Sequence, residues 1–181
     1  AVFGVPDAGR LKGVRALGAN RTCTPVKARS SDVAFRQYTG GTTGISKGAT
    51  LTQRKIIANV LQSEAWSEPA ISKANVEQLT IVCALPLYHI FALSSALVFM
   101  KIGCETVLIA NPRDVDGFVK ELSARRWNVL TGVNTLFKSL LNHPEFEKID
   151  FSQMKLTLGG GMAVQRAVAE RWKKVTGKPL I

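Results

Sequence analysis

The hydrophobic pattern between residues 79 and 176 repeats as a short apolar run followed by a longer periodic segment. The short runs are rich in β-branched residues and predict buried strands at residues 79–85, 106–110, 128–131 and 155–158. The longer segments predict helices at residues 90–100, 115–126, 135–142 and 164–176. Four strand–helix units in succession predict an α/β fold with a mainly parallel sheet flanked by helices.

The pattern upstream of this series is less regular. Residues 32–39 alternate apolar and polar side chains and predict a strand, and residues 49–51 predict a short extended run. Thr52 is a favourable N-cap for a helix that extends to about Trp66. Residues 68–75 then predict a surface loop.

The first 31 residues show no sustained period, and they are strongly basic. The whole chain has a net charge of +11, and these residues carry six basic side chains against one acid. We interpret residues 1–31 as a solvated basic linker or lead-in to a domain at residues 32–181. A nucleic-acid arm and attraction to anionic lipid headgroups are alternatives. No aromatic residues interleave with these charges to stack on bases, so we expect no nucleic-acid partner.

The cysteines and the uncharged segment bear on location. The three cysteines have no metal-ligand spacing, and their odd number argues against a closed disulfide framework. Residues 78–100 carry no formal charge, but Pro86, Tyr88 and His89 interrupt them, and the remaining helix is too short to span a bilayer. Residues 1–19 lack a signal-peptide core. We expect a cytoplasmic protein, with peripheral association on the inner face of the cell membrane left open.

A dense group of glycines, hydroxyl residues and one lysine lies between the two upstream strands, and it reads Tyr38-Thr-Gly-Gly-Thr-Thr-Gly-Ile-Ser-Lys-Gly48. Its glycines let the backbone approach a ligand, and its hydroxyls can donate to phosphate oxygens. Lys47 adds a compact positive charge, and exposed backbone N–H groups form an anion-binding concavity. The stretch predicts a nucleotide phosphate cradle made of Thr39, Gly40, Gly41, Thr42, Thr43, Gly44, Ser46 and Lys47.

This stretch has two other interpretations. An ordinary flexible turn is one, because Gly, Ser and Thr are common loop residues. A Walker A loop is the other. It requires glycine before the lysine and a hydroxyl residue after it, whereas this chain has Ser46 and Gly48 at those positions.

Ligands of parallel α/β sheets bind outside the carboxyl ends of the strands, which here directs attention to three loops. They lie at residues 86–89, 131–134 and 159–163. Each has a structural alternative. His89 could be a hydrogen-bonded structural histidine, Asn134 or Thr135 a helix cap, and the glycine run a tight strand-to-helix turn that also favours anions.

The stretch from Tyr38 to Gly48 closely resembles the phosphate-binding signature of the adenylate-forming enzymes, a superfamily that contains acyl-CoA synthetases, luciferases and the adenylation domains of peptide synthetases. Ala84-Leu-Pro-Leu-Tyr-His-Ile-Phe-Ala-Leu93 is similar to a second signature of acyl-CoA synthetases. Three further stretches resemble bacterial long-chain fatty-acid–CoA ligases: Asn111-Pro-Arg-Asp114, Gly132-Val-Asn-Thr-Leu-Phe137 and Gly159-Gly-Gly-Met-Ala-Val-Gln-Arg-Ala-Val-Ala-Glu-Arg-Trp172. The resemblance implies part of the large N-terminal domain of such an enzyme, covering residues 32–180.

The resemblance also implies roles for single residues. Lys47 and Thr43 would act in catalysis by stabilising the phosphates of ATP and the leaving pyrophosphate, together with the rest of the cradle. The glycine-rich turn at Gly160, Gly161 and Met162 would contact adenosine. Substrate-binding residues would be Tyr88, His89, Val133, Asn134 and Gly159, with His89 beside the carboxylate and not a general base. The resemblance implies no metal ligand among these residues.

The implied activity is ATP-dependent activation of a long-chain fatty acid to acyl-adenylate, followed by thioester formation with coenzyme A, with Mg²⁺ as a cofactor. Other family motifs, including a Tyr-Gly-x-Thr-Glu motif and a mobile C-terminal domain, are not found in the 181 residues, so we expect a central fragment that is inactive alone. Arg36 and Gln53 depart from the family pattern. Alternatives are a short-chain or aryl acyl-CoA synthetase, a fatty-acyl-AMP ligase, or a non-catalytic nucleotide- or nucleic-acid-binding remnant.

Overall fold

The structure, a computed structural model, describes residues 11–39, 47–71 and 78–181. Its helices are α1 Leu11–Gly18, α2 Gln53–Ile71, α3 Ile90–Lys101, α4 Val115–Ser123, α5 Asn134–Leu141 and α6 Arg166–Thr176. Its strands are β1 Val33–Thr39, β2 Lys47–Thr52, β3 Thr80–Cys83, β4 Glu105–Leu108, β5 Val129–Gly132 and β6 Leu156–Gly159. A 3₁₀ turn at Phe146–Lys148 precedes β6.

The main sheet has four strands in the order β4-β3-β5-β6, and every neighbouring pair is parallel. Helices connect the successive strands, which confirms the α/β prediction. The other two strands, β1 and β2, form a separate antiparallel pair. Because Thr39 pairs with Lys47, the glycine-rich stretch connects two paired strands, as the sequence predicted.

Helices cover both faces of the parallel sheet. Successive strand side chains point to opposite faces, so they pack in two separate clusters. On one face, Val82 and Leu130 pack in a buried cluster that includes side chains from α4, α5 and α6, among them Phe118, Phe137 and Trp172. On the other face, the buried cluster contains Ile81, Val129 and Leu156 of the strands with Ile71 of α2 and Phe99 of α3. The two central strands, β3 and β5, therefore contribute apolar side chains in both directions, which explains their continuous apolar runs.

The predicted loop at residues 68–75 is wrong for residues 68–71, because α2 continues to Ile71 through Pro69. Proline inside a helix removes one backbone hydrogen bond. Packing outweighs that loss here, because Ser67 and Ile71 are both buried. The Ser67 hydroxyl also donates to the carbonyl of Ser63 at 2.8 Å. Residues 72–77 lie outside the described residues.

The remaining predicted elements are present with shifted ends. The four strands of the main sheet are shorter than predicted or displaced by one residue, and α4 ends at Ser123. Helix α1 was not predicted, because residues 1–31 show no sustained hydrophobic period. It lies upstream of all six strands. In the described ranges, no helix has both the length and the apolar character needed to cross a membrane.

Candidate functional site

The loops that follow β5 and β6 meet at the carboxyl edge of the parallel sheet. The backbone N–H of Gly160 donates to the carbonyl of Gly132 at 3.1 Å. The side-chain oxygen of Asn134 accepts from the backbone N–H of Gln165 at 2.9 Å, which joins the first turn of α5 to the start of α6. The structure therefore brings the predicted site residues Asn134, Gly159 and Gly160 into one region.

The glycine-rich turn after β6 packs too closely for side chains. A β-carbon added at Gly159 would lie 2.4 Å from Val164, and one added at Gly160 would lie 2.7 Å from the ring of Phe91. Gly161 has a φ of +77°, which L side chains rarely adopt, and a β-carbon there would touch Val133 at 3.7 Å. This close packing supports the interpretation of residues 159–161 as a tight strand-to-helix turn. Met162, which follows, is exposed.

The third loop, residues 86–89, leads into α3. His89 is the exposed N-cap of that helix, and its Nδ1 accepts from the backbone N–H of Phe91 at 3.3 Å. In a neutral ring, an acceptor at Nδ1 leaves the proton on Nε2, which can donate to a carboxylate. Tyr88 is also exposed. Both residues are accessible to a ligand, and His89 also has the structural role that the sequence left open.

The β1–β2 hairpin lies beside this third loop. The Gln37 side-chain amide donates to the carbonyl of Tyr88 at 2.6 Å. The ring of Tyr38 covers Gly48, where an added β-carbon would be 3.1 Å from the ring. Lys47 is exposed at the start of β2. Thr39 ends β1, and the other cradle residues lie outside the described residues: Gly40, Gly41, Thr42, Thr43, Gly44 and Ser46.

A largely apolar cavity of about 760 Å³ lies between α2 and α3 and extends to the end of β6. Its lining includes Trp66, Phe91 and Gly159. Two of the four serine hydroxyls in its wall bond to their own helices: Ser95 donates to the carbonyl of Phe91 at 2.9 Å, and Ser67 donates to that of Ser63. Residues 132–137, which include the predicted substrate-binding residues Val133 and Asn134, do not line this cavity.

Sequence reasoning missed Trp66 and Phe91 as wall residues. The sequence of α3 is apolar on nearly all sides. This pattern predicts a buried helix, but it does not predict a cavity beside it. The cavity is lined by α2, α3 and the end of β6, so it depends on packing between segments that are distant in sequence.

Two further observations limit the chemistry. Burial raises the pKa of the Cys104 thiol to about 11, so this side chain is poorly suited to act as a nucleophile. Among residues 11–39, 47–71 and 78–181, no three His, Cys, Asp or Glu side chains are grouped so that they could hold a metal ion.

The sequence from residue 4 to residue 181 matches the family model described as AMP-binding enzyme. The chain belongs to this family. It is 47% identical over 180 residues to the long-chain-fatty-acid–CoA ligase of Haemophilus influenzae, which covers 99% of this chain and 32% of that protein. Its identity to the ligase of Yersinia pestis is also 47%, over 98% of this chain and 31% of that protein. The chain thus spans about a third of the length of these relatives.

Solved structures agree with the fold. ATP-bound MatB from Rhodopseudomonas palustris superposes with a TM-score of 0.72 at 26% identity, over 93% of this chain and 32% of that one. A malonyl-CoA ligase with methylmalonyl-CoA and AMP bound gives a TM-score of 0.71 at 25% identity, over 97% of this chain and 39% of that one. The resemblance to adenylate-forming enzymes is therefore confirmed, and so is the fold class.

Proposed function

We propose that this chain carries the central part of an active site that activates a long-chain fatty acid with ATP and then transfers the acyl group to coenzyme A. The observation that carries the proposal is the apolar cavity of about 760 Å³ that ends at Gly159. Its lining also includes Ile90 and Phe91, the residues directly after His89. A fatty chain in this cavity would present its carboxylate to the strand ends, and the ligases named above support that substrate class.

In the first step, a carboxylate oxygen attacks the α-phosphorus of ATP, the bond to the bridging oxygen breaks, and pyrophosphate leaves. Lys47 and Thr43, with Thr39 and the other cradle residues, neutralise charge on the leaving phosphates. The Nε2 proton of His89 orients the carboxylate. In the second step, the thiolate sulfur of coenzyme A forms the bond to the acyl carbon, and AMP leaves with the electron pair.

The other predicted residues have binding roles in this proposal. Gly160, Gly161 and Met162 contact adenosine, because the closely packed turn exposes backbone there. The substrate-binding residues are Tyr88, Val133, Asn134 and Gly159 in addition to His89. Residues 32–181 form part of the adenylation domain, and residues 1–31 are its basic lead-in.

Mg²⁺ enters this proposal with the nucleotide. Because the described ranges group no three metal-binding side chains, they do not form a metal site of their own. Mg²⁺ often keeps several waters and binds through substrate phosphates with only one or two carboxylates. Its role would be to neutralise phosphate charge. We also propose a cytoplasmic location, where ATP and coenzyme A are available, and peripheral membrane association stays a prediction.

Exchange of labelled pyrophosphate into ATP tests the proposal, using the longest encoded form of this chain with palmitate, octanoate, malonate or benzoate. We expect exchange that depends on the acid and is fastest with palmitate. Lys47→Ala should lower the rate by about 100-fold, the scale for loss of one charge-stabilising group. Arg54→Ala, an exposed cation at the start of α2, is the matched control and should retain the rate.

Each contrary result has a distinct meaning. Fastest exchange with malonate or benzoate would assign the chain to a synthetase for small or aryl acids. Acyl-adenylate that accumulates without reaction with coenzyme A would indicate a fatty-acyl-AMP ligase. No exchange with any acid would overturn the enzymatic proposal and favour a non-catalytic nucleotide-binding remnant.

A further inference from the structure

Gln37 forms a side-chain hydrogen bond between two parts of the molecule that are distant in sequence. Its Nε2 donates to the carbonyl of Tyr88 at 2.6 Å, across a separation of 51 residues. Along β1, Gln37 is half-buried whereas Arg36 and Tyr38 are exposed, as alternation in a strand requires. Gln37 is therefore on the face of β1 that is turned toward the body of the protein.

Both ends of this hydrogen bond lie close in sequence to residues that we propose to bind substrates. Gln37 is two residues before Thr39, where β1 ends and the phosphate cradle begins. Tyr88 directly precedes His89, the N-cap of α3. The turn at residues 86–89 already has one internal hydrogen bond, because the backbone N–H of His89 donates to the carbonyl of Pro86 at 2.9 Å. Gln37 adds a hydrogen bond to the same turn from the neighbouring strand β1.

The two sheets make this link significant. The cradle extends from the β1–β2 pair, and the carboxylate-binding loop extends from β3 of the parallel sheet, which shares no strand with that pair. Adenylation needs the carboxylate oxygen and the α-phosphorus about 3–3.5 Å apart, and an error of about 1 Å can lower a rate by about 100-fold. A contact that holds the β1–β2 pair against the loop after β3 would therefore help to keep the two reacting groups at this distance.

We propose that Gln37 is a positioning residue for adenylate formation, which fixes the β1–β2 pair relative to the carboxylate-binding loop at residues 86–89. The inference rests on the proposed function. Gln37 contacts neither substrate in this account. Its loss should therefore leave the binding of each substrate alone intact and impair the step that needs both.

The kinetic test uses the longest encoded form of this chain, as above, and compares Gln37→Met and Gln37→Glu, which lack the donor, with Gln37→Lys, which keeps one at similar reach. Arg36→Gln, on the opposite face of the same strand, is the control. We expect the donor-less variants to lower kcat for adenylation by about 10-fold, the scale of one lost hydrogen bond, while the Kd values of ATP and of palmitate change less than about twofold. Gln37→Lys should stay within about threefold of the wild-type kcat.

Hydrogen exchange gives a measurement that does not depend on catalysis. In the wild-type protein, ATP should slow amide exchange at residues 86–91, because bound nucleotide would restrain the β1–β2 pair and Gln37 links that pair to this loop. That response should persist in Arg36→Gln and disappear in Gln37→Met.

Unchanged kcat in the donor-less variants, or an ATP response that persists in Gln37→Met, would overturn the positioning role. Equal losses in kcat and in the Kd of each substrate would reduce it to a general structural role and would also overturn the inference. Absence of adenylation in the wild type would refute the proposed function instead, and the exchange response would still decide whether Gln37 couples the two loops.

Discussion

At the scale of single residues, three glycines of this chain are required for separable reasons. Gly160 has ordinary φ but faces the ring of Phe91, whereas Gly161 and Gly103 have φ values of +77° and +76°. A β-carbon at Gly103 would meet nothing within 4 Å. Gly103 therefore isolates the effect of backbone conformation from the effect of crowding.

Alanine substitutions should resolve these effects. We expect Gly103→Ala and Gly161→Ala to lower the free energy of unfolding by similar amounts, about 1–2 kcal/mol, because both force a β-carbon into the left-handed region. Gly160→Ala should lower it by about 1–3 kcal/mol through overpacking. It should also weaken palmitate binding, because Phe91 must move toward the cavity. Chemical denaturation and fluorescence titration measure the two quantities.

The combination of results is what tests the interpretation. Weakened palmitate binding in Gly103→Ala would show that general destabilisation, and not displacement of Phe91, causes the loss. Unchanged binding in Gly160→Ala would show that the ring moves elsewhere.

At the scale of elements, the start of α4 depends on a paired choice of residues. The Asp114 carboxylate accepts from the backbone N–H of Gly117 at 2.9 Å and caps the helix. A β-carbon at Gly117 would lie 2.4 Å from one oxygen of that carboxylate and 2.9 Å from its carbon. Gly117 therefore makes room for the cap, although glycine is a poor helix former.

This arrangement predicts that the effect of one substitution changes sign with the other. Gly117→Ala should destabilise the wild-type protein, because it displaces the cap, whose loss is worth about 1 kcal/mol. In an Asp114→Ala background, the same Gly117→Ala change should stabilise by up to about 1 kcal/mol, because only helix propensity remains. A double-mutant cycle by denaturation measures the coupling. Additive effects would contradict the steric account.

The elements also show where sequence reasoning succeeds and where it stops. The β-branched runs at β3 and β5 predict strands correctly because both faces of these strands are buried. The predicted end of helix α2 near Trp66 is wrong, because the burial of Ile71, which favours a longer helix, is a property of the tertiary structure. The motif residues around Tyr88 and Gly160 could be located because loops after parallel strands share one edge. The Gln37 link could not, because it joins two sheets whose relative placement no local pattern encodes.

At the scale of the whole molecule, the three tryptophans report on different regions. Trp127 and Trp172 are buried at 3% and 0% exposure, whereas Trp66 is 58% exposed and lines the cavity between α2 and α3. Solvent-dependent changes in emission should therefore come mainly from Trp66. This makes occupancy of the cavity measurable without catalysis.

We expect palmitate to shift the tryptophan emission to shorter wavelength and to reduce quenching by acrylamide, because an acyl chain would exclude water from the indole ring. Trp66→Phe should abolish both changes. Adsorption of fatty acid on the exposed apolar face of α2 would also affect Trp66, so two further variants separate the sites. Ser94→Phe places a ring in the cavity and should abolish the response, whereas Leu61→Ser removes an exposed apolar side chain outside the lining and should preserve it. The reverse pattern would assign palmitate to the helix surface and remove the main support for a long-chain substrate.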